Sequence, residues 1–330
     1  MKIFHLMPLI VSPVRHVKQG VHLRYQLLSE WKKQGPCWAK SWRRQMKLGV
    51  FSDIHSNYHG FHACYEEAVK RGVNQFLFLG DYVSDCAYPE KTMNLLYHIR
   101  DRYPCTFIRG NREDYLLNHK NGAEDGWVSP SSASGSLLYT YEHLTEADLE
   151  FFESMDLSGR MKTEGYTDFY YCHGTLENTR GVFHLGSESA KEVLNQLDAD
   201  LIICGHTHRQ GIFQYKGKTH VNTGSVGVPW DYGGDAQFCI LHGDKGIWKP
   251  ELVQLDYDKS LAVKELYESH LNETARVWTR IVEKTLITGI DQSRLCLTTA
   301  LKKWENDGGS GIWSMLPETY WEDAAAELGL

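Results

Sequence analysis

Between Lys47 and Leu255 the chain repeats one unit: a short apolar run, then glycine and polar side chains, then a stretch with helical spacing. Gln75–Gly80, with Phe76, Leu77, Phe78 and Leu79 in a row, is the clearest case. A run so short, unbroken and aromatic-rich predicts a strand buried on both faces, because a half-exposed strand alternates with polar residues. Lys47–Phe51 and Cys105–Arg109 read as two more such strands. Two amphipathic stretches lie between them. Tyr58–Arg71 puts Phe61, Cys64, Tyr65, Ala68 and Val69 on one face and stops at Gly72. Pro89–Arg102 turns Met93, Leu96, Tyr97 and Ile99 inward and is closed by Pro104. Strands joined by helix-length connections predict a parallel sheet covered on both faces.

Asn121–Gly135 is rich in Gly and Ser and reads as a mobile surface loop. Leu144–Met155 is a helix with Thr145 as its cap, and Ser187–Leu197 another. Asp168–Cys172 and Leu201–Cys204 are strands, and Gly211–Val226 is a hairpin turning at Lys216-Gly217-Lys218. Gln237–Leu241 and Leu252–Leu255 complete a β-rich half. From Asp258 the pattern is helical only: Leu261–Leu271, Ala275–Thr288, Ser293–Trp304 and Pro317–Leu328. The chain divides accordingly into a basic stretch at 1–45, a main domain at 46–257 and a helical region at 258–330, which covers the main domain or mediates assembly into homo-oligomers.

The strand ends share one context. Asp53-x-His55, Gly80-Asp81, Gly110-Asn111, His173-Gly174 and Gly205-His206-Thr207-His208 each follow an apolar run. In open α/β sheets, ligand chemistry gathers at the carboxyl ends of strands. If the sheet is parallel, these groups lie along one edge. Carboxylate, imidazole and amide oxygen suit divalent ions such as manganese, iron, zinc or nickel. Seven such side chains exceed the needs of one ion, so a two-ion site is the economical reading. A single one of these histidines, in a chain with 16 His, would read as structural. His59, His62, His98, His119, His143 and His220 lack the strand-end context.

Composition narrows the picture. The net charge of −7 argues against non-specific nucleic-acid binding as the main task. Met1–Gln45 nevertheless holds nine Lys/Arg against Glu30 alone. Met46 begins MKLGVFSD, which looks like a natural start, and the residues before it read as a dispensable extension or a start-codon artefact. The eight cysteines are scattered without a CxxC pair, which fits buried free thiols in a reducing, cytoplasmic compartment. No stretch approaches the ~18 to 20 apolar residues of a membrane span.

In this order the five blocks resemble the calcineurin-like metallophosphoesterase superfamily, whose pattern is D-x-H, G-D-x-x-D, G-N-H-[DE], H-G and G-H-x-H. The likeness runs from Lys47 to Gly243. It implies an α/β fold, a two-sheet α/β/β/α sandwich, here with a C-terminal helical appendage. It also implies a first metal held by Asp53, His55 and His208, a second held by Asn111, His173 and His206, and Asp81 bridging the two. A hydroxide shared by both ions would attack phosphorus in line. Asp81, Asn111, Arg112 and His206 are the candidate catalytic residues.

One position departs from the pattern. Many members carry His after Gly-Asn, whereas this chain has Arg112. A guanidinium keeps its proton at neutral pH, so Arg112 can clamp a phosphate oxygen but cannot act as a general acid. His59 and His184 are candidates to supply that proton. Glu113 and Asp114 fit the acidic position, where orienting a neighbour is the usual role, and Asp85 reads as a support or turn residue. The favoured function is hydrolysis of a small phosphodiester. A phosphomonoesterase or protein serine/threonine phosphatase is the alternative, and a weakly catalytic scaffold for protein partners is the alternative of another class. Extended nucleic acid lacks a basic, aromatic-interleaved groove in the sequence. Phe183, Trp230 and Tyr232 are candidates to line a small base-binding pocket.

Overall fold

The computed structural model describes residues 46–124 and 126–330; the basic stretch at 1–45 lies outside them. Chain order begins β1 (Lys47–Phe51), α1 (Tyr58–Lys70), β2 (Gln75–Phe78), α2 (Pro89–Arg100), β3 (Cys105–Phe107) and α3 (Asn111–Lys120). It continues with α4 (Gly135–Glu142), α5 (Glu146–Glu153), β4 (Ser158–Met161), β5 (Phe169–Cys172), α6 (Glu188–Gln196), β6 (Leu201–Cys204), β7 (Gly211–Tyr215) and β8 (Lys218–Asn222). The long hairpin β9 (Ala236–Asp244) and β10 (Ile247–Leu255) follows. Last come α7 (Lys259–Glu268), the single turn α8 (Leu271–Thr274), α9 (Arg276–Thr288), α10 (Ser293–Asn306) and α11 (Glu318–Leu328).

The strands form two mixed sheets rather than one parallel sheet. Their orders are β10-β9-β1-β2-β3 and β4-β5-β6-β8-β7. β1, β2 and β3 run parallel, as the helix-length connections predict, but β9 returns antiparallel beside β1. In the other sheet β5, β6 and β8 are parallel, flanked by antiparallel β4 and β7.

Alternation in β2 shows why its sequence is apolar throughout. Leu77 and Leu79 join Val50, Ile203, Val221 and Leu241 in the core between the sheets. Phe76 and Phe78 point the other way, packing with Phe51, Phe61 and Phe238 beneath the helices. On the far side of the second sheet, Cys172, Ile202 and Cys204 bury Ala190 and Leu194 of α6. The result is the α/β/β/α sandwich. No cysteine among the described residues is in a disulfide, and no described helix is long and apolar enough to cross a membrane.

The Gly/Ser-rich stretch read as a mobile loop is built into the structure at its second half. Ser131, Ser132 and Ser134 are buried. The Ser132 hydroxyl accepts from the Val277 N–H at 2.7 Å, and donates to Glu318 Oε1 at 2.7 Å. It thereby caps the first turn of α9 from outside that helix and ties α11 to the same point, satisfying a helix-end donor that has no partner within α9.

Candidate metal centre

The strand-end loops are drawn together by glycine and by left-handed backbone. A Cβ on Gly80 would lie 2.2 Å from the Gly110 nitrogen, and one on Gly110 would lie 2.2 Å from Asp81 Oδ1, so neither position admits a side chain. Asp53, His55, Asp81, Asp85, His206 and His208 all have φ between 49° and 66°. Each costs ~1 kcal/mol or more and persists only where surrounding contacts enforce it, as at functional sites. Those contacts are present. Asp53 N–H donates to the Gly80 carbonyl at 3.0 Å, and the Ile54 and His55 N–H groups donate to the Asp81 carbonyl at 2.8 and 3.0 Å. Across the sandwich, the His206 N–H donates to Asp53 Oδ2 at 2.9 Å.

All seven ligand-type side chains predicted from the sequence meet here. Asp53, His55 and His208 form one group and Asp81, His173 and His206 another, with ligand atoms within 4.8 Å of one another in each. Asn111 Oδ1 lies 3.1 Å from His173 Nε2 and belongs with the second group. Asp81 Oδ2 stands between the groups, 3.7 Å from His55 Nε2 and 3.5 Å from His173 Nε2. Asp53 Oδ1 is buried without a hydrogen-bond partner among the described residues, 3.2 Å from His208 Nε2.

The imidazoles reveal what the cluster demands. His208 Nδ1 faces the Val228 carbonyl at 2.8 Å, His173 Nδ1 faces the Leu79 carbonyl at 2.8 Å, and His55 Nδ1 faces Asp85 Oδ2 at 2.9 Å. Each Nδ1 therefore carries a hydrogen, which leaves a lone pair on each Nε2 when the ring is neutral. Two of those lone pairs meet at 3.2 Å, between His55 and His208, and a third faces the Asn111 oxygen. Acceptors pressed together, beside an orphaned carboxylate oxygen, require positive charge between them. Protons can meet that demand. Burial opposes it, yet Asp53 and Asp85 raise His55 to about 9, and Asp81 and Asp53 raise His173 to about 9. Divalent cations meet it better, since the donor set of imidazole, carboxylate and amide oxygen is what such ions take. The residues fit the ions.

A second layer fixes the first. Glu113 is fully buried and accepts from the N–H groups of Gly110, Asp81 and Tyr82 at 2.7, 2.8 and 2.9 Å, clamping two strand ends together. Burial and the Asp81 charge push its carboxyl up to about 7 against those three donors. Arg112 N–H donates to Asp81 Oδ1 at 2.8 Å, which aims Oδ2 at the cluster. The Arg112 guanidinium meets Asp85 Oδ2 at 2.9 Å, and its Nε has no partner among the described residues. Asp85 thus supports both His55 and Arg112. Burial works against its charge, but Arg112 and His55 hold it well below the usual carboxylate range.

Sequence reasoning misplaced some residues and missed others. His59 pairs with Glu265 at 3.2 Å and lines a different groove, and His184 is exposed, so neither is placed to protonate a leaving group in the cluster. Phe183 is buried against His220, and Tyr232 is exposed; only Trp230 of that trio lines the cleft. The missed residues come from the helical tail. Trp278 Nε1 donates to Asp85 Oδ1 at 2.9 Å, and Ile281, Val282 and Thr285 of α9 roof the cleft above the cluster. Their only sequence signal is helical spacing, which every amphipathic helix shares.

Comparisons with known proteins bear on the family and the fold. The model of the calcineurin-like phosphoesterase superfamily domain matches residues 46–246. An uncharacterized protein of Methanocaldococcus jannaschii is 25% identical over 241 residues, 68% of this chain and 94% of that protein. Among solved structures, a hypothetical protein of Pyrococcus horikoshii is similar at a TM-score of 0.62, with 17% identity over 74% of this chain and 99% of that one. A metallophosphoesterase of Sphaerobacter thermophilus is similar at 0.59, with 18% identity over 75% of this chain and 100% of that one. At such identity these two likenesses bear on the fold.

Proposed function

The chain belongs to the calcineurin-like phosphoesterase superfamily, and on that footing we propose that it is a metal-dependent phosphoesterase acting on a small phosphate ester, a diester before a monoester. The observation that carries the reading is the approach of His55 Nε2 to His208 Nε2 at 3.2 Å beside an Asp53 oxygen that has no hydrogen-bond partner among the described residues. Asp53, His55 and His208 would hold one divalent ion and Asn111, His173 and His206 a second, with Asp81 between them. Such ions, when bound, supply Lewis acidity toward phosphoryl oxygens and bring the pKa of water toward neutrality.

The chain's own residues do the positioning. Arg112, braced by Asp85 and lining the cleft, grips a non-bridging phosphate oxygen and keeps its proton. Burial lowers His206 to about 4, so its ring is neutral and serves as a donor of electrons rather than of protons. Among the described residues every histidine lining the cleft belongs to the proposed ligand set, which leaves none of them free as a general acid. That favours esters with good leaving groups. The roof of Trp278, Ile281 and Val282 favours a small substrate over a phosphoprotein surface. The complete ligand set argues against the scaffold reading.

The test is hydrolysis of bis-p-nitrophenyl phosphate against p-nitrophenyl phosphate, on metal-stripped protein given manganese, nickel, zinc or magnesium in turn. Metal-restored turnover favouring the diester is expected. Turnover that persists after metal removal, or none on protein shown to hold two ions, would sink the proposal.

A further inference from the structure

The donor cluster opens into a cleft of about 160 Å³ whose other end has no part in the chemistry above. Its far wall is apolar and aromatic: Val228 and Trp230 after β8, and Trp278, Ile281 and Val282 on α9. Val228, Ile281 and Val282 are buried, so packing fixes that wall. Both indoles are held in place. The backbone N–H of Trp230 donates to the His208 carbonyl at 3.1 Å, and its ring packs 5.7 Å from the His208 ring and carries the Arg209 guanidinium 5.3 Å from its centre. Trp278 is tied to Asp85. Rigid aromatic side chains offer contact area at little entropic cost.

Charge at the rim is equally selective. Arg112, at the cluster end, is the only Lys or Arg among the described residues lining the cleft. At the other end Asp291 accepts from the Ser293 N–H at 3.1 Å and hydroxyl at 3.0 Å, and no Lys or Arg among the described residues faces it within the cleft. A second phosphate or a carboxylate on the substrate would meet that acid unpaired.

Resting on the phosphoesterase reading, we infer that this cleft seats one organic group of the ester, a flat, uncharged ring held against Trp230 and the α9 wall, with no anionic group on that ring. The tail is then part of the substrate site and sets its specificity.

Calorimetric titration of the manganese-loaded protein with phenylphosphonate and methylphosphonate tests this without turnover. The ring is expected to strengthen binding about tenfold, the scale of one good aromatic contact plus its burial. Trp230→Ala and, independently, Ile281→Ala should each bring that ratio below about threefold, and methylphosphonate binding reports whether each variant is folded. Asp291→Asn should raise the affinity of 4-carboxyphenylphosphonate relative to phenylphosphonate. A ratio near one in the native protein, or a ratio unmoved by both wall variants, overturns the inference and leaves the phosphoesterase reading intact. Ring-preferring binding with no turnover of any ester upholds the subsite and removes the phosphoesterase reading. Binding of neither phosphonate overturns both.

Discussion

The strand-end loops and the helical roof converge on Asp85, which bonds His55 and Arg112 on one side and Trp278 on the other. The loops are short, strained and glycine-dependent, and Asp53, His55, Asp81, Asp85, His206 and His208 are among their residues in left-handed backbone. The roof is ordinary amphipathic helix, held by long-range bonds such as Ser132 to Val277 and Glu318. Loops of the first kind place atoms to a fraction of an ångström and tolerate almost no change. Helices of the second kind shape the space above them and tolerate more. The proposed chemistry lies in the loops and the proposed selectivity in the roof.

That division has a steep expected order of effects. Asp81→Ala, in the loops, should cost at least ~10³-fold in turnover, or ~4 kcal/mol, and should abolish binding of one ion. Metal content and rate would be measured together, and a variant that keeps both would erase the distinction. Gly110→Ala should destabilise the fold by ~2–3 kcal/mol, since its methyl would overlap Asp81 Oδ1. A thermal melt reads this directly, and an unchanged midpoint would mean the loops are less tightly determined than their contacts indicate.

The contrast also explains what the sequence disclosed. The loop residues act near their own position in the chain, so Gly80-Asp81 or Gly205-His206-Thr207-His208 is visible as a block. The second sheet was legible only through the family resemblance. Apolar runs alone predicted one parallel sheet, because nothing near Ala236 signals that β9 returns beside β1. α3 went unread because it opens on Gly110-Asn111 and is largely polar. Ser131–Ser134 read as a loose loop because serine suits an exposed turn and a buried cap equally, and only the docked α9 decides between them.

Smaller effects probe the roof. Trp278→Phe keeps an aromatic ring but removes the N–H to Asp85. It should cost ~1 kcal/mol of stability and lower kcat/KM severalfold through a loosened Arg112. An effect as large as that of Asp81→Ala would place the roof inside the chemistry and break the comparison. Ser132→Ala should cost ~1 kcal/mol by uncapping α9. Hydrogen exchange should then quicken in α9 and α11 while the strand-end loops stay protected. Exchange quickening equally in both would show that roof and loops open as one unit.

The most direct test of the central claim is the number of ions the cluster holds. Metal-stripped protein titrated with manganese in a calorimeter should bind two ions per chain, and Asp81→Ala and His208→Ala should each bind fewer. Two ions in the native protein, lost with those side chains, is the result this account predicts. A single ion, or two ions unaffected by either substitution, would contradict it.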